Sequence, residues 1–156
     1  MPITPGQSAP DFTLVDSDKN KVSLSGLKGK NVVLLFFPAA FTGVCTKEMC
    51  NTTDELAFYN TMNAQVLGIS VDMPYSLGKF KELNKIAFPL LSDFNKEAIQ
   101  YYDVMYAEWN LGMKGVAKRS VFVIDKTGIV RYTQVLEAAG DMPDFEAVKK
   151  ALSGLN

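Results

Sequence analysis

The chain contains no histidine and only two cysteines among its 156 residues. Cysteine proteases need a histidine base, so that chemistry is excluded. Two cysteines without histidine supply half of a tetrahedral zinc shell, and a metal site would therefore have to bridge two subunits. They are also too few for the disulfide framework of a secreted protein, which leaves catalytic or redox chemistry in a reducing compartment as the better interpretation.

Basic blocks and long apolar runs are absent as well. The 16 lysines and arginines nearly balance 17 acidic residues, for a net charge of -1, which does not favour nucleic-acid or membrane-surface binding. No run approaches the roughly 18 apolar residues of a spanning helix, and the first residues do not resemble a signal peptide. We expect one domain over 1–156, a cytoplasmic location, no nucleic-acid or membrane partner and, without any glycine-rich phosphate motif, no cofactor.

Short β-branched and aromatic runs predict buried strands at 31–37, 64–71 and 120–125. Helical periodicity predicts one crossover helix between the first two strands, over 45–63, and further helices at 74–85 and 141–155. Turn residues predict a hairpin within 11–27 and a last strand, in 125–135, that pairs back on 120–125. The predicted fold class is α/β, with a central mixed sheet, helices on both faces and an N-terminal β-hairpin.

Both cysteines lie on the predicted crossover helix. Cys45 falls in its first turn, where unpaired amides and the helix dipole favour a thiolate, and it shares the sheet-facing stripe with Met49. Cys50 lies on a more polar side. Helical geometry places Cα atoms five residues apart at about 8–9 Å, beyond the roughly 7 Å of a disulfide. A bridge between them would require the helix to unwind, and an inert thiol is the alternative for each.

Four segments carry a resemblance to a known family: "PAAFTGVC" at 38–45, "APDFTL" upstream, "FPLLSD" at 88–93 and "RSVFVID" at 119–125. Together they resemble the peroxiredoxins along nearly the whole chain. The segments "FFPAAFTGVC", "FPLLSDF" and "GIVRY" are most similar to the alkyl hydroperoxide reductase E branch, whereas a second cysteine five residues on resembles the bacterioferritin-comigratory, or Q-type, branch. The resemblance implies a thioredoxin-like fold and peroxide reduction at Cys45, the peroxidatic cysteine.

The resemblance also implies supporting roles for four residues. Arg119 would stabilise the thiolate of Cys45 and bind a peroxide oxygen; the alternative is a surface ion pair. Thr42 would accept a hydrogen bond from the hydroperoxide, or alternatively cap the helix. Pro38 would end the strand and keep water from the sulfur; alternatively, the proline only marks the end of the strand. Glu48 would orient the arginine, or only favour the helix dipole.

Cys50 is the only other thiol in the chain, and the resemblance implies that it resolves the sulfenic acid at Cys45 as an intramolecular disulfide. A thioredoxin- or glutaredoxin-like dithiol would then recycle the protein. A one-cysteine peroxidase resolved by an external thiol and a non-enzymatic peroxide sensor or binding module remain open alternatives. The aromatic segment 100–113 could form a partner patch or pack into the core, and either a monomer or a homodimer is expected.

Overall fold

The computed structural model of the chain describes residues 2–155. Its strands are β1 (Thr13–Asp16), β2 (Lys21–Ser23), β3 (Asn31–Phe36), β4 (Ala64–Ser70), β5 (Leu90–Ser92), β6 (Ser120–Ile124) and β7 (Val130–Val135). They form one sheet in the order β2-β1-β5-β4-β3-β6-β7. The central β3, β4 and β5 run parallel, whereas the pairs β1–β2, β1–β5, β3–β6 and β6–β7 are antiparallel. The predicted mixed sheet and both predicted hairpins are confirmed.

Within the described residues, five α-helices connect or flank these strands: α1 (Gly43–Asp54), α2 (Leu56–Thr61), α3 (Pro74–Asn84), α4 (Glu97–Tyr101) and α5 (Phe145–Ser153). Short 3-10 helices occupy Leu24–Leu27 and Asn110–Gly112. The prediction of a single crossover helix over 45–63 is wrong, because the helix breaks at Glu55 (φ -97°, ψ 7°). Just before the break, two successive β-branched residues lower helix propensity, and the Thr52 hydroxyl donates to the Glu48 carbonyl, a bond that bends helices.

Alternating side chains of β3 contribute to two separate cores. Val33 and Leu35 face the side covered by α1, α3 and α5, whose buried residues include Met49, Phe80 and Val148. On the opposite side, Val32, Leu34 and Phe36 pack in a cluster that includes Ala98 and Ile99 of α4. The continuous apolar run of β3 therefore reflects burial on both faces, as predicted, and helices lie on both sides of the sheet.

The sequence prediction did not include β5 or α4. β5 has three residues, too few for a periodicity to be visible, although it lies inside the segment 88–93. The five-residue α4 depends on one buried carboxylate, because Asp93 accepts hydrogen bonds from the backbone amides of Glu97, Ala98 and Ile99. A helix this short is stabilised by such tertiary contacts rather than by local propensity.

Segment 100–113 divides between core and surface. Tyr102, Val104 and Tyr106 are buried, whereas Tyr101, Leu111 and Met113 are exposed, Leu111 almost completely. Core packing thus accounts for its aromatic residues only in part. Within residues 2–155, no helix has both the length and the apolar character needed to cross a membrane.

Candidate active site

Cys45 lies in the first turn of α1, just beyond the end of β3. The first intrahelical bond runs from the Thr46 amide to the Thr42 carbonyl at 3.0 Å, so the three preceding amides, including that of Cys45, have no partner inside the helix. These amides and the positive end of the helix dipole favour negative charge at this point. Met49 and Cys45 are both completely buried against the sheet, as the predicted stripe requires.

The approach to α1 has an unusual backbone. Phe41 adopts φ 68°, in the left-handed region, and its ring lies edge-on to Phe80 at 5.2 Å between centroids. A non-glycine residue in this conformation persists only where its surroundings impose it. The reversal at Phe41 directly precedes Thr42 and the start of the helix, so it sets how the chain enters the site. No sequence pattern predicted this conformation.

The guanidinium of Arg119 links helix α1 to the chain after β7, because it contacts two side chains of α1 and the carbonyl of Ala139. Nη2 lies 3.1 Å from Cys45 Sγ, Nη1 donates to Glu48 Oε1 at 2.8 Å, and Nε donates to the carbonyl of Ala139 at 3.0 Å. The residue is 2% exposed, so the surface ion pair considered as an alternative is not its environment. Burial acts to lower the Arg119 pKa, but Glu48 and Cys45 outweigh it and raise the pKa. A fixed positive charge thus adjoins the sulfur.

Glu48 is a completely buried carboxyl group one turn after Cys45. Its Oε1 receives the Arg119 bond, while Oε2 has no hydrogen-bond partner among the described residues. Burial raises the pKa of Glu48 to about 7, although Arg119 acts in the opposite direction. Glu48 therefore contacts the arginine directly. This contact, and not an interaction with the helix dipole, is its main interaction.

Thr42 and Pro38 also lie at this end of β3. The Thr42 hydroxyl donates to the Ala39 carbonyl at 2.7 Å and makes no capping bond to the helix, although Thr42 occupies the N-cap position. Because its hydrogen is already engaged, its oxygen is left to act as an acceptor. Pro38 is buried and follows the last strand residue, Phe36, by two positions.

Cys50 lies further along α1 and is partly exposed. Both cysteines are free, and the helix that carries them is continuous over Gly43–Asp54. The structure therefore does not bring the sulfur of Cys50 to that of Cys45. It brings together Cys45, Arg119 and Glu48, with Thr42 at the helix start.

A cavity of about 520 Å³ opens beside these residues. It is lined by Thr42, Gly43, Val44, Tyr106, Glu108, Trp109, Asn110, Arg119, Glu137, Ala139 and Gly140. Of these residues, only Thr42 and Arg119 were predicted as site residues. The Tyr106 side chain and the Ala139 carbonyl are among those that were not predicted. Tyr106 lies within the aromatic segment 100–113, which offered a partial signal, but a backbone carbonyl that binds arginine leaves no trace in the sequence.

Comparison with known proteins gives consistent similarities. The AhpC/TSA family model matches residues 5–133. The chain is 37% identical over 153 residues to alkyl hydroperoxide reductase E of Mycobacterium bovis, covering 96% of each. It superimposes on peroxidoxin BcpB of Mycobacterium tuberculosis with a TM-score of 0.83 and 33% identity, covering 98% of this chain and 96% of that one. A peroxiredoxin-like protein of Aquifex aeolicus gives 0.90 and 27%, covering 100% and 90%. The expected thioredoxin-like fold is confirmed.

Proposed function

The chain belongs to the AhpC/TSA family, that of the peroxiredoxins, and from this premise we propose that Cys45 is the residue that attacks the peroxide. The family identifies the protein as a peroxidase, an oxidoreductase that acts on peroxide at the expense of a thiol. The observation that carries the proposal for Cys45 is the 3.1 Å contact between its sulfur and Arg119 Nη2. In a chain without histidine, this cation and the helix N-terminus are the groups that favour the thiolate.

The reaction is a two-electron oxidation of the sulfur. The thiolate attacks the terminal oxygen of a hydroperoxide, an S–O bond forms and the O–O bond breaks. The displaced hydroxide or alkoxide takes up a proton and leaves as water or an alcohol, while Cys45 becomes a sulfenic acid. Negative charge moves from the sulfur to the leaving oxygen, so donors fixed along this line stabilise the transition state. No metal ion is required for this step.

Arg119 and Thr42 supply complementary groups for the peroxide. Both line the cavity, and the guanidinium donates hydrogen bonds to peroxide oxygens while the Thr42 oxygen accepts one from the hydroperoxide O–H. Cys45 has no exposed surface, so the peroxide reaches the sulfur after a small displacement of the residues that line the cavity. Buried Pro38 keeps bulk water from the same region. The cavity of about 520 Å³ has room for hydrogen peroxide and for organic hydroperoxides.

Cys50 is proposed to resolve the sulfenic acid. Its thiol condenses with Cys45–SOH, an S–S bond forms and water leaves. Because helical spacing holds the two Cα atoms at about 8–9 Å, α1 unwinds before the disulfide can close. An external dithiol protein of the thioredoxin or glutaredoxin type then reduces the bridge and is itself oxidised. An external thiol that attacks the sulfenic acid directly is the second route, and it would leave Cys50 unused.

Steady-state peroxide consumption by the purified protein, with thioredoxin or glutaredoxin as reductant, tests the proposal. Multiple turnovers are expected for the wild type and none for Cys45→Ser. Continued turnover by Cys45→Ser would overturn the assignment of the peroxidatic residue. The Cys50→Ser variant then separates the two routes, because turnover with thioredoxin is lost only where the Cys45–Cys50 disulfide is the species that is recycled.

A further inference from the structure

The orientation of Arg119 depends on a backbone carbonyl beyond the end of β7. Arg119 directly precedes β6, and its Nε donates to the carbonyl of Ala139 at 3.0 Å. Ala139 lies between the end of β7 at Val135 and the start of α5 at Phe145, outside any helix or strand. The position of the guanidinium relative to Cys45 is therefore set in part by the irregular segment 136–139. Contacts that hold this segment in place also hold the arginine in place.

Tyr106 fixes the segment at its start. Its hydroxyl donates to the carbonyl of Leu136 at 2.9 Å, while the Leu136 amide donates to the Arg119 carbonyl at 2.9 Å. The Tyr106 backbone is itself held on both sides, because its amide donates to Val116 and its carbonyl accepts from Gly115. The residue is 7% exposed and lines the same cavity as Arg119. A rigid, buried side chain thus connects the Leu136 carbonyl to the rest of the fold.

Two backbone bonds also hold this segment, from the Leu136 amide to the Arg119 carbonyl and from the Asp141 amide to the Ala138 carbonyl at 3.1 Å. The other side-chain contact of the segment is weak. Lys118 contacts Glu137 at 3.1 Å, but the Glu137 side chain is 81% exposed, and exposed ion pairs contribute little to stability. Burial raises the pKa of Tyr106; the backbone N–H and the charge of Arg119 act to lower this pKa, while the charges of Glu137 and Cys45 act to raise it. Of the two side-chain contacts, the buried Tyr106 hydroxyl is the one better suited to hold the segment in place.

We propose that Tyr106 is a positioning residue for Arg119: its hydroxyl holds the segment 136–139 so that the Ala139 carbonyl keeps the guanidinium against Cys45. This inference rests on the proposed role of Arg119 at Cys45. The Tyr106 hydroxyl is engaged by the Leu136 carbonyl, and it acts through the arginine. Loss of the hydroxyl frees the segment, broadens the orientations of the guanidinium, and weakens both the stabilisation of the thiolate and the binding of peroxide.

The chain offers a matched control for this test. Tyr102 is also buried, and its hydroxyl also donates to a backbone carbonyl, that of Pro10 at 2.7 Å, but it packs in the core on the opposite face of the sheet from Cys45. Tyr106→Phe and Tyr102→Phe each remove one such hydrogen bond. A purely structural role predicts similar losses of thermal stability and similar rates of Cys45 oxidation in the two variants.

The measurement is the rate constant for oxidation of Cys45 by hydrogen peroxide, together with the pH profile of its alkylation by iodoacetamide, in full-length protein carrying Cys50→Ser. Tyr106→Phe is expected to slow oxidation about fivefold, on the order of one hydrogen bond, and to move the alkylation profile to higher pH. Tyr102→Phe is expected to leave both close to their starting values. Equal behaviour of the two variants would overturn the inference.

A double-mutant comparison separates this inference from the function on which it rests. If Tyr106 acts through Arg119, adding Tyr106→Phe to Arg119→Leu slows oxidation no further. If Tyr106→Phe slows oxidation as much in the Arg119→Leu protein as it does in the protein that retains Arg119, the positioning role is contradicted. Should Arg119→Leu reduce the rate while Tyr106→Phe does not, the inference fails and the function stands. Undiminished peroxidase activity in Cys45→Ser would instead remove the proposed function itself.

Discussion

Glu48 Oε1 and Arg119 Nη1 lie 2.8 Å apart, with 0% and 2% of their side chains exposed. A buried ion pair of this kind is costly to desolvate, and it is therefore weak evidence of a role in stability. The pair also fixes the orientation of the Arg119 guanidinium. The carboxylate holds one nitrogen of the guanidinium while a second nitrogen of the same group contacts Cys45 Sγ. The pair thus determines how positive charge is presented to the sulfur.

Replacing Arg119 by leucine is expected to slow oxidation of Cys45 by at least about tenfold, equivalent to about 1.4 kcal/mol. The variant loses both the charge beside the sulfur and a donor to the peroxide. Arg131→Leu is the matched control, because Arg131 is half-exposed and pairs with Asp125 away from the cavity. Stopped-flow measurement of the oxidation rate checks the prediction, and equal rates for the two variants would remove Arg119 from the site.

Folding must be controlled in that experiment, because Arg119→Leu leaves Glu48 buried without its partner. Breaking one side of a buried pair costs about 3–5 kcal/mol of stability. The double variant Glu48→Gln with Arg119→Leu removes the stranded carboxyl group. It is expected to be more stable than Arg119→Leu alone and to be oxidised as slowly. Recovery of the wild-type rate in the double variant would mean that misfolding, and not loss of the guanidinium, caused the slow reaction.

Glu48 also predicts a pH dependence of stability. Burial raises its pKa to about 7 in the folded protein from an ordinary value of 4.5, so the folded state binds this proton more tightly than the unfolded state. The resulting stabilisation is fully present below the ordinary value and is lost as the pH rises through about 7. Wild-type protein should therefore lose stability relative to Glu48→Gln as the pH rises.

Urea unfolding of both proteins at about pH 5 and about pH 8 measures this difference. Glu48→Gln carries a neutral group at both values, so it provides the reference for every other titrating residue. If wild type instead gained stability over the variant with rising pH, the attraction of Arg119 would outweigh burial, and the stated direction of the shift would be wrong.

Thr42→Val is expected to slow Cys45 oxidation about tenfold, since valine keeps the shape of threonine but not its acceptor oxygen. Thr42→Ser should retain most of the rate. Thr46→Val is the control, because the Thr46 hydroxyl makes only a helical bond to the Thr42 carbonyl at 2.7 Å. Rates measured under single-turnover conditions distinguish these variants. A slow Thr42→Ser protein, or an equally slow Thr46→Val protein, would argue against the acceptor role.

Cys50→Ser is expected to keep the fast first oxidation but to accumulate sulfenic and then sulfinic acid at Cys45 under excess peroxide. In the wild type, mass spectrometry should find a Cys45–Cys50 disulfide instead. Hydrogen exchange over 43–54 should quicken on oxidation, because α1 has to open for the bridge to form. Persistent sulfenic acid in the wild type, without a bridge, would make Cys50 a bystander and favour resolution by an external thiol.

The sequence was sufficient for those features that depend on local pattern. The apolar run of β3 and the cysteine in the first turn of α1 follow from periodicity and from helix geometry. Arg119 is 74 positions from Cys45, and only the family resemblance predicted that the two meet. That resemblance also gave Glu48 its role beside the arginine, which periodicity could not distinguish from an acid at a helix start.

Other parts of the site could not be predicted because they depend on backbone groups or on tertiary packing. The Ala139 carbonyl carries no side-chain signature, and the left-handed conformation of Phe41 is unusual for an aromatic residue. Tyr106 was visible only as one of several aromatics in a segment that is part core and part surface. The break at Glu55 was missed because α1 and α2 share one continuous helical periodicity across it.

Peroxide is expected to oxidise Cys45, and Arg119 to accelerate this step. The most direct measurement is mass-spectrometric trapping of sulfenic acid in Cys50→Ser protein, followed in time at substoichiometric hydrogen peroxide, with and without Arg119→Leu. Sulfenic acid is expected to form at Cys45 far faster than in a free thiol, and at least about tenfold more slowly once the arginine is removed. Sulfenic acid that forms at Cys45 no faster than in free cysteine, or at a rate independent of Arg119, would contradict these roles of Cys45 and Arg119.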